Sequence, residues 1–404
     1  MPILTLRSPL VPPALAGPVC VGAAGFPRFW ATIWIDRYNF RLLAPTREHH
    51  LRALDRLYLA AQRQRGSDCL DRLMAEPDFD AIETILDGFF GELRNEVAVD
   101  GIDHSSTWRI ALRFVIDILT RAGESAGARA AAIEKRLSRM DSLFGRFIPN
   151  PVRPPSPIRA LSPAVVDDLY AIFDPRSNRN PFKTEALRWR NLLIFMLLLR
   201  LGLRRGEAAL LVANSIKDDL DPSTGKTVVW MDVDTTADDD PRYIPPGLKT
   251  ARSKRQLPVP EEILLLSGKY LQNYRGKHYS PFLLMSQKGT PLSLRAISEV
   301  FEIASRALSE RARKSLEQQG LLTVSCHDLR HTCAVVRLKL YQDAGNDLDL
   351  AMDKLRVFFG WSPQSEMPRL YARAYFETKL SEVWNENFDA FVDALRLSVD
   401  RSAP

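Results

Sequence analysis

Five prolines fall within the nine residues Pro149–Pro157 (PNPVRPPSP). Each fixes its own φ and lacks the N–H that a helix or an inner strand needs. A run this dense stays extended and stiff. It reads as a linker between two separately folded domains, and it constrains the fold more than any other feature. At 404 residues the chain has room for two or three domains of about 150 residues each. The expected divisions are a lead-in at 1–45, a helical domain at 46–148, the linker at 149–158 and a second domain at 159–397.

Before the linker the apolar residues recur at helical spacing. From Thr46 to about Arg63 they are Leu51, Leu54, Leu57 and Tyr58. Asp80 with Glu83 three residues on is a capping-box signal for a helix to about Asn95. Thr107 to Arg121 places Ile110, Phe114, Ile118 and Leu119 on one face, and a fourth helix is expected over 126–147. In the lead-in, Phe29, Trp30, Trp34 and Tyr38 point to an aromatic helix or strand, while Pro9, Pro12 and Pro13 break the first apolar stretch. That stretch is expected to be an extended lead-in rather than a signal peptide.

After the linker, Ser162-Pro163 is an N-cap and N1 pair for a helix over 163–173. A core helix is expected from about Glu185 to Leu201, turning at Gly202. Lys226–Asp234 (KTVVWMDVD) alternates and is β-branched, so it is expected as a strand, with a second short strand at Gln256–Pro260. Further helices are expected at 292–307, 331–341, 348–359 and 376–397.

Composition narrows the function classes. Hydrophobic residues at 46% and charged residues at 26% exclude a disordered chain. The longest apolar run, Leu192–Leu199, is closed by Arg200 and is far short of the ~20 residues of a membrane span. Four scattered cysteines without a CxxC make neither a disulfide framework nor a zinc ribbon, so a reduced, cytoplasmic protein is expected. The net charge of +6 permits a polyanionic partner. Arg109, Arg113, Arg121, Arg129, Lys135, Arg136, Arg139, Arg146, Arg153 and Arg159 gather near the linker. They are either a solvated helix face or a DNA-facing one, and the acidic stretch 68–96 is expected to face away from DNA.

Four local patterns carry chemistry. Gly202-Leu203-Arg204-Arg205-Gly206-Glu207 puts an arginine just after a glycine turn at the end of the core helix. Lys249-Thr250-Ala251-Arg252-Ser253-Lys254-Arg255 is a hairpin turn with four cations. In His327-Asp328-Leu329-Arg330-His331, His327 and Arg330 are three apart and share a helix face. A guanidinium fork beside an imidazole suits a phosphodiester, one binding oxygens and the other moving protons. His327 and His331 also have metal-ligand spacing, but no HExxH glutamate or further ligand accompanies them. Gly360-Trp361 is followed by Tyr371, whose hydroxyl can be a covalent nucleophile when cations stabilise the phenolate. Each pattern alone also fits ordinary packing or a solvated surface.

Their order changes the reading. Arg204, Lys249, His327, Arg330, Trp361 and Tyr371 together resemble the catalytic domain of tyrosine recombinases, the phage-integrase family. The GLRxxE box is matched by Gly202 to Glu207, and the KTxxSxRxxP pattern by Lys249, Thr250, Ser253, Arg255 and Pro258. The HxLRH box is matched by His327 to His331, and the Gly-His/Trp and tyrosine by Gly360-Trp361 and Tyr371. The resemblance spans roughly Arg159 to Phe391. It departs from the family at one point, because the tyrosine usually follows nine residues after the Trp position, where this chain has Leu370. A one-residue insertion around 363–368 explains the shift, since loops absorb insertions. Tyr375 is the alternative nucleophile.

The resemblance implies a mainly α fold with a small antiparallel β-sheet, in which a helical N-terminal core-binding domain precedes an α+β catalytic domain. It implies metal-independent strand breakage and rejoining on double-stranded DNA, with no cofactor. Tyr371 attacks and joins the 3′ side, Arg204 and Arg330 hold the non-bridging oxygens, and Lys249 protonates the departing 5′ oxygen. His327 assists proton transfer, Trp361 donates a hydrogen bond, and Glu207 and His331 support. Arg129, Arg136, Arg139, Arg153, Arg252, Lys254 and Arg255 are candidate DNA contacts. Leu380, Trp384, Phe388, Phe391 and Leu395 at helical spacing either pack on their own domain or dock on a neighbouring protomer, and four protomers on DNA are expected. Partner recombinases or accessory factors, a mobile-element role and a location on the bacterial nucleoid fit the same family. The competing readings are a type IB topoisomerase, a DNA-binding relative without catalysis, and a metal-dependent nuclease using His327 and His331.

Overall fold

The computed structural model describes residues 3–6, 17–38, 42, 44–124, 130–151, 159–223, 225–234, 240–242, 246–248, 253–277 and 279–371. The expected C-terminal helix at 376–397 lies outside them, as do Arg129, Arg153, Lys249, Arg252 and Tyr375. The chain divides into two compact units, Met1–Pro155 and Ser156–Pro404.

The first unit opens with a two-stranded antiparallel ladder, β1 (Ile3–Leu6) on β2 (Gly17–Cys20), with Ile3 opposite Cys20. Among the described residues six helices follow: α1 (Phe29–Tyr38), α2 (Ala44–Arg65), α3 (Leu70–Ala75), α4 (Phe79–Asp100), α5 (Ser105–Glu124) and α6 (Ala130–Phe144). The aromatic segment at 29–38 is therefore a helix. Its Trp34 is buried among Leu54, Leu57 and Phe114 in one core, and the indole N–H donates to Asp117 Oδ2 at 2.9 Å. That bond removes the cost of burying the indole donor. The cap of α4 is Asp78, whose side chain accepts from the Ala81 amide at 3.1 Å, rather than Asp80. The helix thus starts two residues earlier than the capping-box pattern indicated. The β1–β2 ladder and α3 are too short to leave a periodic signal, and sequence reading missed both.

The second unit is built around α8 (Glu185–Arg200), which is preceded by α7 (Pro163–Phe173). The Thr184 hydroxyl caps α8 by accepting from the Leu187 amide. Leu192 to Leu199 are all buried, so the helix has no wet face along this stretch and must be surrounded on every side. After α9 (Arg205–Leu210) come three antiparallel strands in the order β3 (Ile216–Leu220), β4 (Thr227–Val233), β5 (Arg255–Pro258). Met231 of β4 pairs with Ile216 on one side and Leu257 on the other. The sequence IKDDL of β3 has exposed acidic residues and no strand signature; pairing with β4 makes it a strand. Then follow α10 (Glu261–Lys269), a π turn at Tyr270–Tyr274, α11 (Leu294–Arg306), α12 (Glu310–Gln318), α13 (Cys326–Asp343) and α14 (Leu348–Phe359).

Gly202 links α8 to α9 with φ +58°. A Cβ there would sit 2.4 Å from Phe359 Cε1 and 3.0 Å from Cys333 Sγ, so both the backbone angle and the space require glycine. Gly202→Ala is expected to destabilise the second unit by about 3 kcal/mol, from left-handed backbone strain plus overpacking. A fall in the urea midpoint at unchanged slope is the expected measurement.

Candidate active site

The site grows from a helix start. Arg204 is the N-cap of α9, and Glu207 three residues on folds back, its Oε2 accepting the Arg204 amide at 2.9 Å. That local capping geometry aims the Glu207 carboxylate inward, where it is 2% exposed. Three guanidinium groups converge on it. Arg204 Nη1 donates to Glu207 Oε1 at 2.6 Å. Arg255 Nη2 of β5 donates to Oε2 at 3.0 Å. Arg330 Nη1 of α13 lies 3.7 Å from Oε2. Burial pulls the carboxyl's pKa up, but Arg255, Arg330 and Arg204 outweigh it and hold Glu207 below the ordinary carboxylate value. One negative charge against three positive ones leaves an excess of two positive charges, which makes the site an anion trap.

Arg330 is the most buried of the three, at 3% exposure. Its Nη1 donates to the Gly202 carbonyl and its Nη2 to the Phe359 carbonyl at 2.9 Å. Its guanidinium lies 4.7 Å from the centre of the Phe359 ring and 5.7 Å from that of Trp361. Burial and then Arg204 push its pKa down to about 9, which still leaves it charged at neutral pH. Arg255 Nε donates to the Phe358 carbonyl at 2.8 Å. Arginine supplies enough donors in one plane to make these bonds together.

Helix α13 is set by a reciprocal cap in which the Asp328 carboxylate accepts from the Ser325 amide and hydroxyl at 2.8 and 2.7 Å. This start puts His327, Arg330 and His331 on its first turns. His327 is exposed, and its Nε2 lies 2.8 Å from His331 Nε2. His331 is buried; burial, His327, Arg159 and Arg330 push its pKa down to about 3, so it is neutral at physiological pH.

Beyond α14, Gly360 turns the chain with φ +62° and Trp361 stacks on Phe359, centroids 4.7 Å apart. Tyr371 continues the column, 5.4 Å from Trp361 at 16°, and meets His331 edge-on at 5.0 Å. Tyr371 is 1% exposed, and its hydroxyl has no hydrogen-bond partner among the described residues. Burial pushes the phenol's pKa up, with Arg330 pulling against it.

Arg204, His327, Arg330, Trp361 and Tyr371 line one cleft of about 1210 Å³. Other expected residues are placed differently. Arg255 turns its guanidinium inward, because the Glu207 carboxylate and the end of α14 accept its hydrogen bonds. Lys254 pairs with Asp234 at 2.8 Å. Arg136 pairs with Asp80 and Glu83, so the acidic face of α4 and the basic face of α6 meet. Arg139 is exposed. Sequence reading missed Ser253 as a site residue, though it stands in the KTxxSxRxxP pattern; it is buried, and its Oγ accepts from Arg204 Nη1 at 3.3 Å. It also missed Arg205, which lines the cleft and donates to Ser298 Oγ at 2.5 Å. The pattern position is the one signal for Ser253, and none marks Arg205.

Residues 160–377, more than half of the chain, match the model of the phage integrase family. No curated protein matches the chain. Among solved structures it is similar to XerH site-specific recombinase in a post-cleavage complex with palindromic difH, at 15% identity, covering 86% of this chain and 85% of that one, with a TM-score of 0.49. It is also similar to XerA recombinase, at 15% identity, 93% and 98% coverage and a TM-score of 0.34. A third is lambda integrase residues 75–356 bound to DNA, at 14% identity, 89% and 96% coverage and a TM-score of 0.39.

Glu207→Gln leaves three guanidiniums without their counter-charge and is expected to cost about 3–5 kcal/mol, read as a lowered urea midpoint. The pH dependence follows from two depressed pKa values. His331 must be neutral in the fold, so its contribution is complete above about 6.5 and declines as the pH falls toward about 3. Glu207 must be ionised, so its contribution is complete above about 4.5 and is lost as the pH falls through its lower folded value. Unfolding free energy measured against pH is expected to fall from about pH 6.5 downward. His331→Gln is expected to flatten the part between pH 6 and 5.

Proposed function

The chain belongs to the phage integrase family of tyrosine recombinases, and from that premise we propose that it is a site-specific DNA integrase acting through a 3′-phosphotyrosine intermediate for a mobile genetic element. One observation carries the reading. A buried carboxylate gathers three guanidiniums at a cleft, and the same cleft is lined by a tyrosine whose buried hydroxyl lacks a partner among the described residues. A buried orphan hydroxyl is costly; a bound phosphodiester would give it both a partner and a substrate.

In this reading Arg204 and Arg330 bind the two non-bridging oxygens of the scissile phosphate. Charge grows there as the nucleophile attacks, and fixed donors in a dry site stabilise it most. The Tyr371 oxygen bonds to phosphorus and the bond from phosphorus to the 5′ oxygen breaks. His327 takes the phenol proton, and Lys249 delivers a proton to the leaving 5′ oxygen. The phosphotyrosine link keeps the energy of the broken bond, so the 5′ hydroxyl of a second strand reverses the step. Trp361 supports the pocket, and Glu207 holds the arginines without touching the phosphate. The first unit would serve as the core-binding domain, with Arg139 among its DNA contacts, and affinity would be salt-sensitive. Four protomers on double-stranded DNA, with or without accessory factors, complete the proposal.

The test uses nicked duplex fragments from the DNA flanking the gene, in EDTA, resolved on denaturing gels. Wild type is expected to form a covalent protein–DNA band that Tyr371→Phe abolishes and Tyr375→Phe keeps. Arg330→Ala is expected to slow its formation on the order of 10²–10³-fold. Loss only in Tyr375→Phe would move the nucleophile, and loss on adding EDTA would overturn the metal-independent mechanism.

A further inference from the structure

The recombinase reading gives His331 only an unspecified supporting role, although it is buried beside two groups of the cleft. Its Nε2 is 2.8 Å from His327 Nε2, and its ring meets Tyr371 edge-on at 5.0 Å. Two imidazole nitrogens at this distance share one proton, so one ring donates and the other accepts. The rest of the site decides which. When His327 is protonated it has only donors, so the contact survives only if His331 presents a lone pair. Burial and the groups facing His331 favour that form: His327 and Arg330 on its own helix, and Arg159 ahead of α7. Arg159 is held by Asp328 at 3.4 Å, so its charge stays near the ring.

We propose that His331 is a positioning residue whose Nε2 accepts a hydrogen bond from His327 Nε2–H. This fixes His327 as the Nε2–H tautomer, leaves Nδ1 as the unprotonated nitrogen that takes a proton, and stabilises the imidazolium that results. One proton is added to Nδ1 and none moves between the two rings, so the hydrogen bond is the same before and after the transfer. Geometry prepared in advance in this way adds no reorganisation to the step. The catalytic purpose of the pair rests on the recombinase reading; the hydrogen bond itself does not.

The experiment labels the six histidines with ¹⁵N and records two-bond ¹⁵N–¹H spectra of the DNA-free full chain across pH. The expected result is His327 as the Nε2–H tautomer at neutral pH, with His331 not titrating down to pH 5. A His327 carrying its proton on Nδ1 would overturn the proposal. In His331→Phe the His327 pKa is expected to drop, the acid limb of the adduct-formation rate to move down by about one pH unit, and the rate to fall about tenfold. His331→Gln, whose amide oxygen can accept, is expected to recover most of the rate. Equal rates and equal pH profiles for the Phe and Gln variants, with both folded by circular dichroism, would also overturn it. Absence of adduct in wild type would strike the recombinase reading alone, because the tautomer is read without DNA.

Discussion

A carboxylate buried at Glu207 is the constraint on which the second unit turns. An ionised group in that position is tolerated only if cations and hydrogen bonds replace its water. Arg204, Arg255 and Arg330 do so from three different elements, the start of α9, strand β5 and helix α13. Two of them, Arg255 and Arg330, then reach the last carbonyls of α14, at Phe358 and Phe359. Those carbonyls have no partner within their own helix. One charge cluster thus ties four elements together and satisfies a helix terminus.

The excess positive charge of that cluster is also what makes the cleft useful. A set of charges balanced for stability would have no affinity for an anion. Here the helix-cap geometry and the Gly202 turn hold the Arg204 and Arg330 guanidiniums at the wall of the cleft. Phe359, at one end of the column Phe359–Trp361–Tyr371, lies against the same turn, so the nucleophile candidate and the charge cluster are linked through it. Gly202 sits where the two systems touch, and for that reason no side chain fits there.

Several features were legible in the chain because they are local. The Ser162-Pro163 start, the apolar run of α8, the alternation of β4 and the His327–Arg330 spacing each depend on residues within a turn or two of one another. Arg204, His327, Arg330, Trp361 and Tyr371 were legible as a set because the order of their boxes is itself a sequence property. Strand β3 was not, since its acidic residues are acceptable only on an edge whose position the partner strand decides. Arg255 looked like a surface cation in a basic turn; nothing in its neighbours reveals that Glu207, forty-eight residues earlier, is waiting for it. Arg136 is a similar case, its partners Asp80 and Glu83 lying on α4.

The sequence by itself determined which residues carry cations, imidazoles and the phenol, in what order, and on which helices most of them stand. Periodicity, capping and turn chemistry act over a few residues, and any reader of the chain can apply them. Only the tertiary structure decided that Glu207 would neutralise arginines from three elements, that His331 would be buried against His327, and that the Tyr371 hydroxyl would be buried in the cleft. These outcomes depend on burial in the folded core and on partners such as Arg255, which lies 48 positions from Glu207. Such energies belong to a place in the folded core, and no short stretch of sequence contains them.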